Sequence, residues 1–175
     1  MPARAPTPPP ASVAAPAFLR RLPSPIGRIE ITSDGHSVTS LAIARDGQLP
    51  RDAMPERTSD VLEHAAAQLD EYFAGVRRDF DLPVHLVGTD FQHAVWAELE
   101  KLKWGEISSY GRIGLATGRV AAGRAVGGAI GANPVPIIVG CHRVLAASRK
   151  ITGYSGGNGV PTKAWLLDHE GIPHG

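Results

Sequence analysis

The sequence predicts an α/β protein: a small N-terminal α/β domain followed by a mainly helical C-terminal domain with a helix-turn-helix. The first observation behind this is a strand pattern over Phe18 to Ala44. Arg28-Ile29-Glu30-Ile31-Thr32 alternates polar and apolar, and Ser33-Asp34-Gly35 signals a turn before Val38 to Ile43. The second is a helical stripe over Thr58 to Ala74. The third is a pair of short helices separated by a glycine, Tyr110 to Thr117 and about Ala121 to Ile130.

In chain order, residues 1–17 are rich in Pro and Ala and carry almost no large apolar side chain. Such a segment buries too little surface to order itself and is expected to be a disordered tail. Residues 18–87 form the expected N-terminal domain. Its meander begins at Phe18, with Ser24-Pro25-Ile26-Gly27 as a tight turn, and Asp46 to Pro55 reads as a polar loop. In the helix that follows, Val61, Leu62, Ala65, Leu69, Tyr72 and Phe73 share one stripe. Thr58 or Ser59 caps its start and Gly75 stops it. Phe80 to Val87 reads as a returning strand. His36, His64 and His85 are scattered without partners at ligand spacing, so no metal site is expected.

Residues 88–175 form the expected C-terminal domain. Thr89 or Asp90 caps a helix over Phe91 to Leu102, with Phe91, Val95, Leu99 and Leu102 inward. Trp104-Gly105-Glu106 is a turn, Ser109 caps the first short helix and Gly118 ends it. The second short helix is unusually bare: Ala121, Ala122, Gly123, Ala125, Gly127, Gly128, Ala129 and Gly131 surround the single long side chain Arg124. Each interior Gly costs about 1 kcal/mol against Ala. Two reasons fit, tight packing on another helix or access to a narrow groove.

The charge distribution bears on that choice. The formal net charge is only +1. Yet Ile107 to Leu167 contains no Asp or Glu, while Arg112, Arg119, Arg124, Arg143, Arg149, Lys150 and Lys163 all fall inside it. This half presents either the field a polyanion feels or a solvated basic face. The acid-free surroundings of the bare helix favour DNA. No apolar run approaches the roughly 20 residues of a membrane span, and no export signal is visible at the N-terminus. One cysteine excludes an internal disulfide and suits a reducing compartment. Cytoplasmic residence, or nuclear in a eukaryote, is expected.

That cysteine lies in Pro134-Val135-Pro136-Ile137-Ile138-Val139-Gly140-Cys141-His142-Arg143-Val144. An apolar β-branched run is expected to deliver Cys141 at the end of a buried strand, with a helix-like segment following. A free thiol is mostly protonated at neutral pH and needs a base or a positive environment. His142 is adjacent, but neighbouring side chains on a helix diverge. A bridging water between the two is the better expectation. Asp168 and Glu170 are the only acids after Glu106 and so the only ones in this half to orient the histidine.

The blocks Arg124-Ala125-Val126-Gly127-Gly128, Asn133-Pro134, Cys141-His142-Arg143-Val144, Gly153-Tyr154-Ser155-Gly156-Gly157 and Trp165-Leu166-Leu167-Asp168-His169-Glu170-Gly171 occur in one order. In this the chain resembles the O6-alkylguanine-DNA alkyltransferases, strongly over its second half and in outline over its first. The resemblance implies a ribonuclease-H-like N-terminal domain and double-stranded DNA as partner, bound through the minor groove by Arg124, Ala125 and Gly127. Arg124 would enter the base stack where the target nucleotide is flipped out. Tyr110 would rotate the target phosphate and protonate guanine N3. A Cys141–water–His142–Glu170 relay would activate the sulfur. Asn133 would be the hinge before the active-site strand, and backbone carbonyls of Cys141 and Val144 would accept from the guanine amine. Tyr154, Ser155 and Gly156 would close the pocket, with Pro136 and Tyr154 on the alkyl side.

Taken alone, Pro136 reads as a turn residue, Tyr154 as core and Gly156-Gly157 as a flexible loop. The expected reaction is direct, single-turnover transfer of the alkyl group to Cys141, with no cofactor because sulfur is the acceptor. A monomer with no obligate protein partner is expected. Gly140 stands where the family pattern has Pro, and Arg149 where it commonly has Gly. The alternatives are a lesion sensor that transfers poorly and a cysteine hydrolase or redox protein.

Overall fold

The computed structural model describes residues 15–120 and 122–175. Most of the Pro/Ala-rich segment, and Ala121, lie outside them. Three antiparallel strands form the first sheet: β1 (Phe18–Leu22), β2 (Ile29–Ser33) and β3 (Val38–Ile43), in that order across it. β2 is buried along its whole length, its polar alternates included. Glu30 is held by Arg51, and Thr32 bonds the hydroxyls of Thr39 and Ser40. The alternation in this strand therefore separates two covered faces rather than a core face and a wet one.

α1 (Asp60–Phe73) begins at Ser59, whose hydroxyl accepts from the Leu62 amide, and its chain turns off at Gly75 with φ +78°. Phe80 to Val87 forms no strand. It makes one bridge, between Val38 and Val84. Pro83 has no N–H to extend a ladder and contributes only its carbonyl, to the Val38 amide.

α2 (Asp90–Glu100) opens with a full capping box between Thr89 and Gln92. The two-residue strand β4 (Ser108–Ser109) leads into α3 (Tyr110–Ala116), capped by Ser109, and α4 (Gly123–Gly131) follows. α3, a turn through Gly118 at φ +76° and α4 make the helix-turn-helix. Gly114 is required here: a Cβ would lie 2.7 Å from the Arg119 carbonyl. α4 packs inward through Val126, Ala129 and Ile130, and Trp96 Nε1 of α2 donates to the Ala129 carbonyl at 2.8 Å.

The last elements are a single 3-10 turn over Cys141–Arg143, β5 (Val144–Leu145) and α5 (Val160–His169). β5 pairs in parallel with β4, which sets Tyr110 beside the cysteine turn. One continuous core runs through both parts of the chain, from Leu22 and Ile29 through Tyr72 and Trp96 to Cys141 and Leu166.

Candidate active site

No strand delivers the cysteine. Residues 134–140 form a compact turn, with Val139 N–H donating to Val135 O at 2.9 Å. Asn133 staples it: its Nδ2 donates to Val139 O at 2.8 Å and its Oδ1 accepts from Val135 N–H at 3.0 Å. Pro136 fixes one φ of the turn. Ile137 takes the next at +75°, a region where a β-branched residue is an outlier. β-branched composition read as strand loses here to proline, a side-chain staple and burial. Gly140 has φ −74°, inside the range proline would impose. A Cβ there would come within 3.0 Å of Arg143 Nη1.

Cys141 sits at the wall of a cavity of about 590 Å³ shared with Tyr110, Gly127, Ile130, Tyr154, Ser155 and Lys163. Burial pushes its thiol pKa up, against a downward pull from Asn133, Tyr154 and Lys163. The resting sulfur is therefore a thiol that needs a base. Tyr154 Oη faces the sulfur but has no partner of hydrogen-bond geometry.

His142 is fully buried and makes no bond to Cys141. Its Nε2 meets Glu170 Oε1 at 2.8 Å, while Nδ1 is buried without a partner. Burial lowers its pKa more than Glu170 raises it. A neutral ring donating through Nε2 thus keeps a free lone pair on Nδ1. Glu170 is also gripped by Arg143, whose Nε donates to Oε2 and Nη2 to Oε1, both at 2.8 Å. Burial pushes the Glu170 carboxyl up, but the bonds from His142 and Arg143 prevail and hold it below the usual range.

Lys163 went unnoticed in the sequence, where it is one basic residue among several. It is 1% exposed. Its Nζ donates to Val144 O at 2.6 Å and to Gly153 O at 3.3 Å, tying the cysteine segment to the pocket loop. Burial lowers its pKa to about 8. Only the apolar neighbours in the fold could have announced it.

The other expected site residues divide between two places. Ser155 Oγ donates to Gly131 O at 3.0 Å, closing the loop onto the end of α4. Tyr110 Oη accepts from Thr152 at 3.4 Å. Pro136, Gly156 and Asn133 line a neighbouring cavity of about 770 Å³ against β3, which shares only Gly131 and Ser155 with the first. The Val144 and Cys141 carbonyls already accept from Lys163 Nζ and Val144 N–H, leaving each one lone pair. Arg124 and Ala125 are exposed on α4. A Cβ at Gly123 or Gly128 would meet nothing within 4 Å. Packing within the chain therefore does not explain these glycines. Among the described residues no helix is long and apolar enough to cross a membrane.

Comparison with known proteins bears on the family and the fold. Residues 19–86 match the family described as 6-O-methylguanine DNA methyltransferase, ribonuclease-like domain, and residues 90–172 match its DNA binding domain. A methylated-DNA--protein-cysteine methyltransferase of Haemophilus influenzae is 38% identical over 87% of this chain and 85% of its own. The protein of that name from Mycobacterium tuberculosis is 42% identical over 86% of this chain and 90% of its own. A crystal structure of Mycobacterium tuberculosis OGT in complex with DNA superposes with a TM-score of 0.77 at 42% identity, covering 87% of this chain and 91% of that one.

Proposed function

Because the chain belongs to the 6-O-methylguanine DNA methyltransferase family, we propose that it repairs DNA by moving the alkyl group of O6-alkylguanine onto its own Cys141. O4-alkylthymine presents the same alkyl–oxygen bond and is a second substrate. The observation that carries the reading is the buried pair behind the thiol, His142 with a free Nδ1 and Glu170 on its Nε2.

Cys141 Sγ attacks the alkyl carbon in line. The S–C bond forms as the C–O bond to guanine breaks. The thiol proton passes through a water to His142 Nδ1, and Glu170 steadies the resulting imidazolium. Tyr110 Oη, on the cavity wall, gives a proton to guanine N3. The proton taken up by His142 balances it. The product is a thioether, and no group in the cavity offers a route to remove it, so each molecule acts once. No cofactor enters the balance.

DNA enters along α4, whose exposed glycines let a minor groove approach the helix backbone. Arg124 takes the place of the flipped nucleotide, Ala125 lies against the groove, and the cavity lined by Gly127 receives the base. Tyr154, Ser155 and Gly156 close over the base, and Pro136 flanks the alkyl group from the adjoining cavity. In this reading residues 18–87 support and 88–175 bind and react. The protein is a cytoplasmic (in a eukaryote, nuclear) monomer with no obligate protein partner.

The test is the intact mass of the protein after incubation with duplex DNA carrying O6-methylguanine. One methyl per chain is expected, absent in Cys141→Ala, which still binds DNA. Binding without any mass gain would overturn transfer in favour of lesion sensing.

A further inference from the structure

The N-terminal domain carries no cluster of reactive side chains, yet it reaches the relay. Tyr72, the penultimate residue of α1, is fully buried, and its Oη donates to Glu170 Oε1 at 2.8 Å. That oxygen is the one that holds His142 Nε2. The tyrosine is fixed from every side. The rings of Phe73, Phe80, Trp104 and His169 lie 5.2 to 5.4 Å from its own, centroid to centroid. Its backbone carbonyl accepts from His169 Nε2 at 2.7 Å. The end of α1 is thus clasped twice by the His169-Glu170 pair, once through the backbone and once through the hydroxyl.

We infer that Tyr72 is a positioning residue for alkyl transfer, through which the N-terminal domain sets the orientation and basicity of the Glu170–His142 pair. The inference rests on the relay proposed above. A carboxylate turns easily about its last torsion. Arg143 grips both oxygens from the cysteine's own turn, and Tyr72 fixes Oε1 from across the domain junction. A donor on Oε1 also spreads the charge of the carboxylate. Without it the oxygen pulls harder on the His142 proton, and the ring is protonated at higher pH. Since transfer needs the neutral ring, the acid limb of the rate moves up. The titratable and charged groups facing this pair are Tyr72 on α1, Arg143 in the turn, and Lys163 on α5. Of these only Tyr72 comes from the N-terminal domain.

The experiment is the single-turnover rate against pH with free O6-benzylguanine and with alkylated duplex DNA. Tyr72→Phe should lower both rates severalfold at neutral pH by the same factor, move the acid limb upward and leave DNA affinity unchanged. Placing 3-fluorotyrosine at position 72 keeps the shape and strengthens the donor, so it should move the limb downward even if the phenylalanine variant folds poorly. Adding Tyr72→Phe to Glu170→Gln should cost nothing further. A rate and limb unchanged by either change at position 72, while Glu170→Gln slows transfer, would overturn the role of Tyr72 alone. If Glu170→Gln has no effect either, the relay falls and the inference with it.

Discussion

Glu30, the second residue of β2, and Glu170, at the end of α5, are both enclosed, and each takes an arginine. Arg51 Nη1 reaches Glu30 Oε1 at 3.0 Å and its backbone N–H reaches Oε2 at 3.1 Å. Arg143 grips Glu170 with two nitrogens. The difference lies in what else each carboxylate touches. Glu30 ends in a pair whose arginine is partly open to solvent, and no nucleophile lies near it. Glu170 continues to His142, whose far nitrogen is unpartnered in the core beside a thiol facing a cavity. A buried acid with an arginine is therefore a structural device by default. It becomes a candidate for chemistry when the hydrogen-bond chain is left open at the end nearest a reactive atom.

Neutralising each acid separates the two roles. Glu170→Gln leaves Arg143 enclosed without its anion, a loss of about 3–5 kcal/mol for a buried pair. It also removes the anchor that stabilises an imidazolium, so transfer should slow by about 100-fold, the lower range of general-base catalysis. Glu30→Gln should cost about 1–3 kcal/mol, since Arg51 can turn to water, and leave the transfer rate unchanged below its melting temperature. Denaturation midpoints and single-turnover rates measured together check both. Equal rates for the two variants would erase the distinction. The pH dependence adds a sign. The folded-state pKa of Glu170 is lowered, so its stabilisation is complete above the unfolded carboxyl's value and is lost as pH falls through and below it.

A second cation sharpens the picture. Lys163 sits between the cysteine segment and the pocket loop with a pKa near 8, and its charge favours the thiolate. Lys163→Met should slow transfer severalfold at pH 7. Above pH 8 the wild-type lysine is itself neutral, so the two rates should converge. Parallel profiles across that range would show that the lysine acts only by holding the two carbonyls. For stability the sign is opposite. A lysine whose pKa is lowered by burial destabilises the fold while charged, and stability rises as pH climbs from about 8 toward the unfolded value.

What could be read in advance follows the range of the interactions. The helices announced themselves through contacts a few residues apart: Ser59, Thr89 and Ser109 each cap the helix that their hydroxyl suggested. Strands β2 and β3 and the turn glycines are equally local. The turn before Cys141 was misread because its composition is that of a strand, while its shape comes from Asn133 bonding two backbone groups around Pro136. Tyr72 looked like one more apolar position on a stripe. Its partner is Glu170, 98 residues away, and no spacing rule connects the two. Lys163 was invisible for the same reason. The cysteine block itself was legible because several short motifs fall in one order, which periodicity alone does not supply.

Arg149 offers the smallest effect and a test of whether strain here serves anything. Its φ is +62°, in the left-handed region, within a turn closed by its own N–H to Ala146 O at 2.8 Å. Its side chain has no resolved ion pair among the described residues and is exposed. The left-handed conformation costs a residue with a Cβ about 1–2 kcal/mol, and glycine returns part of that gain as unfolded-state entropy. Arg149→Gly should therefore stabilise the protein by about 0.5–1 kcal/mol, read as a higher melting temperature with the turn unchanged. The same variant separates backbone from charge. If the arginine lies against a phosphate, DNA affinity falls and its salt dependence flattens while transfer to free O6-benzylguanine stays constant. If stability rises and affinity holds, the arginine is strain without a use, in contrast to the strained Ile137 beside Cys141, where the turn it permits carries the nucleophile.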